Sequence, residues 1–394
     1  MLATTSKRLL SKGLIVPVYF NNTSKTFESN SFVNESLIKK LSINNKNLKP
    51  GANRTFYFEE SVPNYDIINV VNLTEKPSKK PNYNQVNSKN EFIRTAIANS
   101  VKTFSGSNLD SVDFQGFESN QLDLISEAAH LTVHSYKEKD RAKFPTLNLN
   151  AQENQKNETT VGQIYADSQN FARDLMEAPA NLMTPEIFGE TVKNKIEEWN
   201  LSGNTEVIIR DEQWIKDKKM NSFLSVSAGS VNPPILLEIH VNKPKDSSDI
   251  IPEITYVGKG VTFDTGGISL KPSANMDAMR ADMGGAATTT AAILSAARLE
   301  SIQSSGKYFV CICPLCENMP SGNATKPGDV VTAMNGKTIQ IDNTDAEGRL
   351  ILADALTYAD RDLRSGVDGL FDFNFNFHPN FGNILQNRIC ELSY

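Results

Sequence analysis

Hydrophobic positions along this chain change period repeatedly. Up to residue 150, short runs with strand character, LIVPVYF (14–20), RTFYFEE (54–60) and DIINVVNL (66–73), stand beside apolar residues at helical spacing in NEFIRTAIANSVKTF (90–104) and NQLDLISEAAHLTVHSY (120–136). The mixture predicts a small N-terminal α/β domain over residues 1–155. The polar stretch NLNAQENQKNETT (148–160) lacks periodicity and has a linker's composition, so the boundary is expected there. Beyond it, VGQIYADSQNFARDLMEA (161–178) reads as a helix. TPEIFGETVKNKIEEW (184–199) reads as a second helix, with Thr184 as its cap and Pro185 in its first turn. Strands and helices then alternate through TEVIIRD (205–211), PPILLEIHVNK (233–243), ITYVGKGVTF (254–263), the small-residue helix GGAATTTAAILSAARL (284–299), KYFVCICPL (307–315), TIQIDN (338–343) and a helix starting near Glu347. This pattern predicts a mixed-sheet α/β domain over residues 160–394, with helices on both faces of the sheet.

Length supports two domains, since 394 residues exceed one ordinary core. With 39% hydrophobic and 22% charged residues and a net charge of -6, the chain lacks the basic footprint of a nucleic-acid binder. No apolar run approaches the ~18 residues that suggest a membrane span. The four cysteines, Cys311, Cys313, Cys316 and Cys390, are too few and too bunched for a disulfide framework, which points to a reducing compartment and a cytoplasmic protein. The opening MLATTSKRLLSKG is basic and rich in hydroxyls, a faint likeness to a mitochondrial transit peptide. A strand follows at once and leaves little to cleave, so a frayed terminus is expected.

Candidate chemistry gathers where strands end, the place where such sheets bind ligands. GKGVTFDTGGISLKPSANMDAMRADMGG contributes Lys259, Asp264, Lys271, Asp277 and Asp282, and NTDAEGRL (343–350) contributes Asp345, Glu347 and Arg349. Asp264 is expected at the end of one strand, Asp282 just before a helix, and Asp345 with Glu347 at the end of another strand. An isolated Asp is usually a solvated loop acid. Several carboxylates beside glycines and strand ends, without histidine, point instead to a divalent metal, and oxygen ligands alone favour Mg or Mn over Zn. Lys259, between two glycines in an apolar strand, is costly to bury unless it is paired or deprotonated. Arg349 opens a helix, where it could hold an anion or pair with a neighbouring acid.

Three other features carry less. FDTGG has no second Asp-Thr-Gly to share a proton with, as aspartic-protease chemistry requires. CICPLC continues a buried-looking strand and has no second cysteine pair for zinc, so core cysteines are expected. His130, His134, His240 and His378 form no metal-binding pattern, although His130 and His134 are expected on one helical face.

VGKGVTFDTGGISLKPSANMDAMRADMGGAATT and NTDAEGRLILADAL closely resemble the leucyl aminopeptidase (cytosol aminopeptidase) family of two-zinc exopeptidases. RDLMEAPANLMTP, FLSVSAGS, PLCENMPSG and KPGDVV extend the likeness, which covers residues 11 to 360. The resemblance implies an N-terminal α/β domain, a catalytic domain, peptide substrates with bulky apolar N-terminal residues such as leucine, and a homo-hexamer when the chain is complete. It implies that Lys259, Asp264, Asp282, Asp345 and Glu347 bind two divalent metals, zinc with Mn, Mg or Co exchanging at one site. By the same resemblance Lys271 stabilises charge on the tetrahedral intermediate, Arg349 holds a bicarbonate that acts as general base, and Met279 and Asn343 line the substrate pocket.

After ADALTYAD the sequence departs from the family's pattern. The expected sheet strand and Thr-Leu-Thr-Gly loop are not recognisable, and the tail FDFNFNFHPNFGNIL alternates Phe with polar residues. The catalytic domain is therefore expected to be incomplete at its C-terminus, with an unpaired sheet edge. An alternative function follows from that expectation: a catalytically impaired, truncated product that binds metal or modulates full-length subunits.

Overall fold

The computed structural model describes residues 11–373 except 22–23, 25, 30–34, 45–47, 58–61, 63, 75–84, 142, 150–155, 246–250 and 364–369. The chain divides into two compact units, 1–167 and 168–394. The basic N-terminal stretch 1–10, most of the Phe-rich tail, His378 and Cys390 lie outside the described residues.

The first unit contains β1 (Lys12–Asn21), β2 (Thr26–Glu28), α1 (Glu35–Asn44), β3 (Asn53–Tyr57), β4 (Ile67–Asn72), α2 (Gln85–Lys102), β5 (Ser111–Phe114), α3 (Leu122–Val133), the single turn α4 (Glu138–Arg141) and β6 (Thr146–Leu149). Its sheet runs β3-β4-β1-β5-β6, parallel from β4 to β6, with β2 antiparallel to β1. Alternate residues of β1 serve opposite faces. Leu14, Val16 and Val18 pack with Leu37 and Leu41 of α1, while Ile15 packs with Ile97 of α2 and Ile125 of α3. Burial on both faces explains why the strand reads as a continuous apolar run. His134 lies just past α3 in an extended conformation, so it does not share a helical face with His130.

The polar stretch read as a linker is structured at both ends. Its first residues belong to β6, and its last belong to α5 (Lys156–Glu177), a helix that spans the division between the units. The second unit continues with α6 (Pro185–Glu198), β7 (Thr205–Arg210), α7 (Glu212–Asp217), α8 (Asn221–Ser227), β8 (Ile235–Val241), β9 (Ile254–Gly258), β10 (Gly260–Asp264), α9 (Gly284–Arg298), α10 (Glu300–Ser305), β11 (Phe309–Asn318), β12 (Val330–Thr332), β13 (Thr338–Gln340), α11 (Gly348–Arg361) and β14 (Leu370–Phe373). Thr184 caps α6, its hydroxyl accepting from the Ile187 amide.

The central sheet is mixed, in the order β14-β9-β11-β8-β7, with β10 also pairing β11. Helices cover both faces: α6 and α9 pack on Leu237, Ile239 and Cys311, and α7, α8 and α11 on Leu236, Val310 and Ile312. Every residue of β11 is buried. Cys313 and Cys316 point to opposite faces of it and belong to different cores, so they cannot chelate one ion together. The edge of β9 is not left open, because the backbone of residues 370–373 pairs with it in parallel. Among the described residues, no helix is long and apolar enough to cross a membrane.

Candidate metal centre

ITYVGKGVTF, read as one strand, is two. β9 pairs with residues 309–312 of β11 and β10 with 315–318, and Lys259 occupies the break between them. The flanking glycines are required by close approach. A Cβ on Gly258 would lie 2.6 Å from the Gly285 carbonyl at the start of α9, and one on Gly260 would lie 2.6 Å from the Pro314 carbonyl of β11. The Lys259 carbonyl accepts the Ala286 amide at 2.8 Å, which ties the break to the first turn of α9. Asp282 precedes that helix, and Asp264 ends β10, both where the sequence placed them.

The helix expected near Glu347 is there, but Asp345 and Glu347 do not share a strand end. β13 stops at Gln340, and Asp345 stands in a turn closed by the Asn343 side chain, which accepts the Asp345 amide at 2.9 Å. Glu347 already has helical dihedrals at the start of α11. The two acids therefore diverge from a turn and a helix start instead of sharing one strand face.

Lys259, 4% exposed, places its ammonium 2.9 Å from Asp282 Oδ1 and 2.8 Å from Glu347 Oε1. Burial works against its charge, but the two carboxylates outweigh this and raise its pKa. Gly348 lets the lysine pass: a Cβ there would lie 2.9 Å from Lys259 Cε. Lys271, half-buried, donates to Asp264 Oδ2 at 2.6 Å and also pairs with Asp345. Burial opposes its charge too, and its bonds to Asp264 and Asp345 raise its pKa. Each of the two ammonium groups thus bridges a pair of carboxylates.

Carboxylate oxygens of Asp264, Asp282 and Glu347 lie within 4.8 Å of one another, all three residues buried. Among the described residues, Asp282 Oδ2 and Glu347 Oε2 are buried without a hydrogen-bond partner. An orphaned carboxylate oxygen is expensive, and two of them beside an excess of acid over base fit a divalent cation. Asp345 joins this group through Lys271 and is more exposed. Burial pushes the Asp282 carboxyl up to about 8; Lys259 opposes this, and Glu347 and Asp264 add to it.

The remaining candidates are spread around this centre. Asp277 is not drawn in: its side chain is 86% exposed and lies 3.8 Å from Arg280. Met279 is half-buried in the 3-10 turn Met276–Ala281, and Asn343 is exposed. Arg349 is exposed in the first turn of α11 and forms no ion pair with the described residues, so the neighbouring acids do not claim it.

Sequence reasoning passed over Asn318, Thr344 and Asp354. Asn318 and Thr344 lie inside stretches whose likeness to the family was noted, but their roles depend on contacts between distant segments. Asp354, fully buried in α11, accepts the amides of Phe223 and Met334 at 3.0 and 2.7 Å. Its position in ILADAL, two turns into an amphipathic helix, gave no signal of this.

A three-layered α/β unit whose carboxylates and lysines gather where strands end and helices begin has the features of a metallohydrolase domain. The family model described as cytosol aminopeptidase family, catalytic domain, matches residues 170–373, past the departure expected near 360. The chain is 42% identical over 361 residues to the cytosol aminopeptidase of Sus scrofa, covering 89% of this chain and 67% of that one. It is 41% identical over 369 residues to that of Dictyostelium discoideum, covering 90% and 68%. The chain belongs to the cytosol aminopeptidase family, whose members are metal-dependent exopeptidases, and spans about two thirds of the length of these relatives. Among solved structures, the bottromycin maturation enzyme BotP in complex with Mn superposes with a TM-score of 0.69 at 25% identity, over 90% of this chain and 70% of that one.

Proposed function

We propose that this protein is an aminopeptidase that hydrolyses the N-terminal peptide bond of peptides, preferring leucine and other bulky apolar residues, at a centre of two divalent metal ions. The carrying observation is the buried group of Asp264, Asp282 and Glu347, with two carboxylate oxygens that lack a hydrogen-bond partner among the described residues. Asp264, Asp282, Asp345, Glu347 and Lys259 would hold the ions, zinc with Mn, Mg or Co exchanging at one position; BotP, a relative in fold, is described in complex with Mn. Bound there, the cations would polarise the scissile carbonyl and lower the pKa of the attacking water.

Lys259 can serve as a ligand only as a free amine, so binding would release its proton. Lys271 keeps its charge and holds an ammonium where a carbonyl oxygen would become an oxyanion. Arg349, unclaimed by acids at a helix start, suits a bicarbonate that accepts a proton from water. Met279 and Asn343 would line the pocket for the N-terminal side chain. A homo-hexamer and a cytoplasmic location follow the family, whose relatives carry the name cytosol aminopeptidase.

The test is hydrolysis of leucine p-nitroanilide with and without added Zn or Mn, beside Lys271→Ala. Metal-dependent turnover should fall about 100–1000-fold in the variant, the usual effect of losing one oxyanion donor. Equal turnover in the two proteins, or none from folded, metal-loaded chain, would contradict the reading.

A further inference from the structure

Asn318 ends β11 and pairs in register with Asp264 at the end of β10. Its side chain is buried, and its one amide nitrogen spends both hydrogens. One goes to Asp264 Oδ1 at 2.8 Å, the other to the Thr344 carbonyl at 2.9 Å. Asp264 Oδ1 also accepts the Gly266 amide at 2.8 Å. Two donors on Oδ1 fix the rotation of the carboxylate and leave Oδ2 to face Lys271. The second hydrogen reaches the residue just before Asp345. The same loop is held to the FDTGG turn by the Thr344 hydroxyl, which donates to the Gly266 carbonyl at 2.6 Å and accepts the Ser269 amide at 2.8 Å. The main-chain carbonyl of Asn318 takes the Thr265 amide and hydroxyl at 3.0 and 2.8 Å.

One planar amide therefore joins two segments distant in sequence, the strand end bearing Asp264 and the turn bearing Asp345. No isosteric residue can replace it: aspartate has the shape but no hydrogens to donate, and leucine would strand both acceptors. We propose that Asn318 is a positioning residue of the metal centre, whose amide sets the orientation of Asp264 and its spacing from the Asp345 turn, and thereby the affinity for divalent cations. The inference rests on reading Asp264 as a metal ligand.

The experiment measures Mn2+ affinity of the whole chain by competition with a chelating indicator. It compares the native protein, Asn318→Asp, Asn318→Ser and Asp264→Asn, with thermal unfolding of each metal-free chain alongside. Loss of a group that orients a metal-binding side chain typically weakens affinity about 10–100-fold, and that fall is expected in both Asn318 variants. Were Asn318 only filling space, the isosteric Asn318→Asp would bind as the native chain does, and Asn318→Ser would lower the melting temperature without changing affinity. If Asn318→Asp does not fold, Asn318→Ser carries the comparison. Unchanged affinity in the Asn318 variants with binding lost in Asp264→Asn overturns the inference alone. Native affinity in Asp264→Asn overturns the ligand reading, and the inference falls with it.

Discussion

The ammonium of Lys259 lies 2.8 Å from Glu347 Oε1, so the break between β9 and β10 meets the first turn of α11 at one buried charge pair. The same ammonium lies 2.9 Å from Asp282, and without it the two carboxylates would face each other in a dry interior. Lys259→Met should destabilise the metal-free chain by about 3–5 kcal/mol, the cost of breaking a buried ion pair from one side. Denaturant unfolding in the presence of a chelator measures this. An unchanged midpoint would show that the lysine is not the counter-charge the acids require.

A pH dependence follows from Asp282, whose carboxyl burial pushes up to about 8. The folded pKa exceeds the unfolded value of about 3.9, so the folded state holds this proton more tightly. The resulting stability is fully present only below about 3.9, falls as pH rises above that, and is lost once pH passes about 8. In the metal-free protein, Asp282→Asn should gain stability relative to the native chain between pH 5 and 8.5. Unfolding curves across that window check it, and parallel pH profiles would count against it. Cation affinity should rise over the same range, because a ligand carboxylate must be deprotonated.

Asp354 holds α11 in place through the amides of Phe223 in α8 and Met334 between β12 and β13. Asp354→Ala strands both donors and should cost about 1–3 kcal/mol for each. Asp354→Asn should recover part of this, since its carbonyl oxygen can still accept one of them. Chemical denaturation of the three proteins gives the comparison. Equal stability in the native and alanine chains would mean that α11 is anchored by packing alone.

Much of this was legible from the sequence because burial and periodicity are local. The run KYFVCIC reads as a buried strand since both its faces are covered, and Thr184 followed by Pro185 marks the start of α6 as it does in the structure. Lys259 in its apolar strand reads as a charge that needs a partner when buried, but the break of the strand there is not legible, because it is imposed by β11 pairing with two successive segments. The helix start near Glu347 is legible, but Asp345 reads as a strand end because TIQIDN leads straight into it, whereas its turn is closed by Asn343. The partners of Asn318 and Asp354 lie far along the chain, so no spacing rule could have found them.

The most direct test is metal stoichiometry. The purified chain, equilibrated with Zn and freed of excess, is analysed for bound metal beside Asp345→Asn and Asp282→Asn. The account predicts two ions per native chain and fewer in each variant, since a carboxylate ligand becomes a neutral amide. Folded native protein without stoichiometric metal, or variants that retain the full complement, would contradict it.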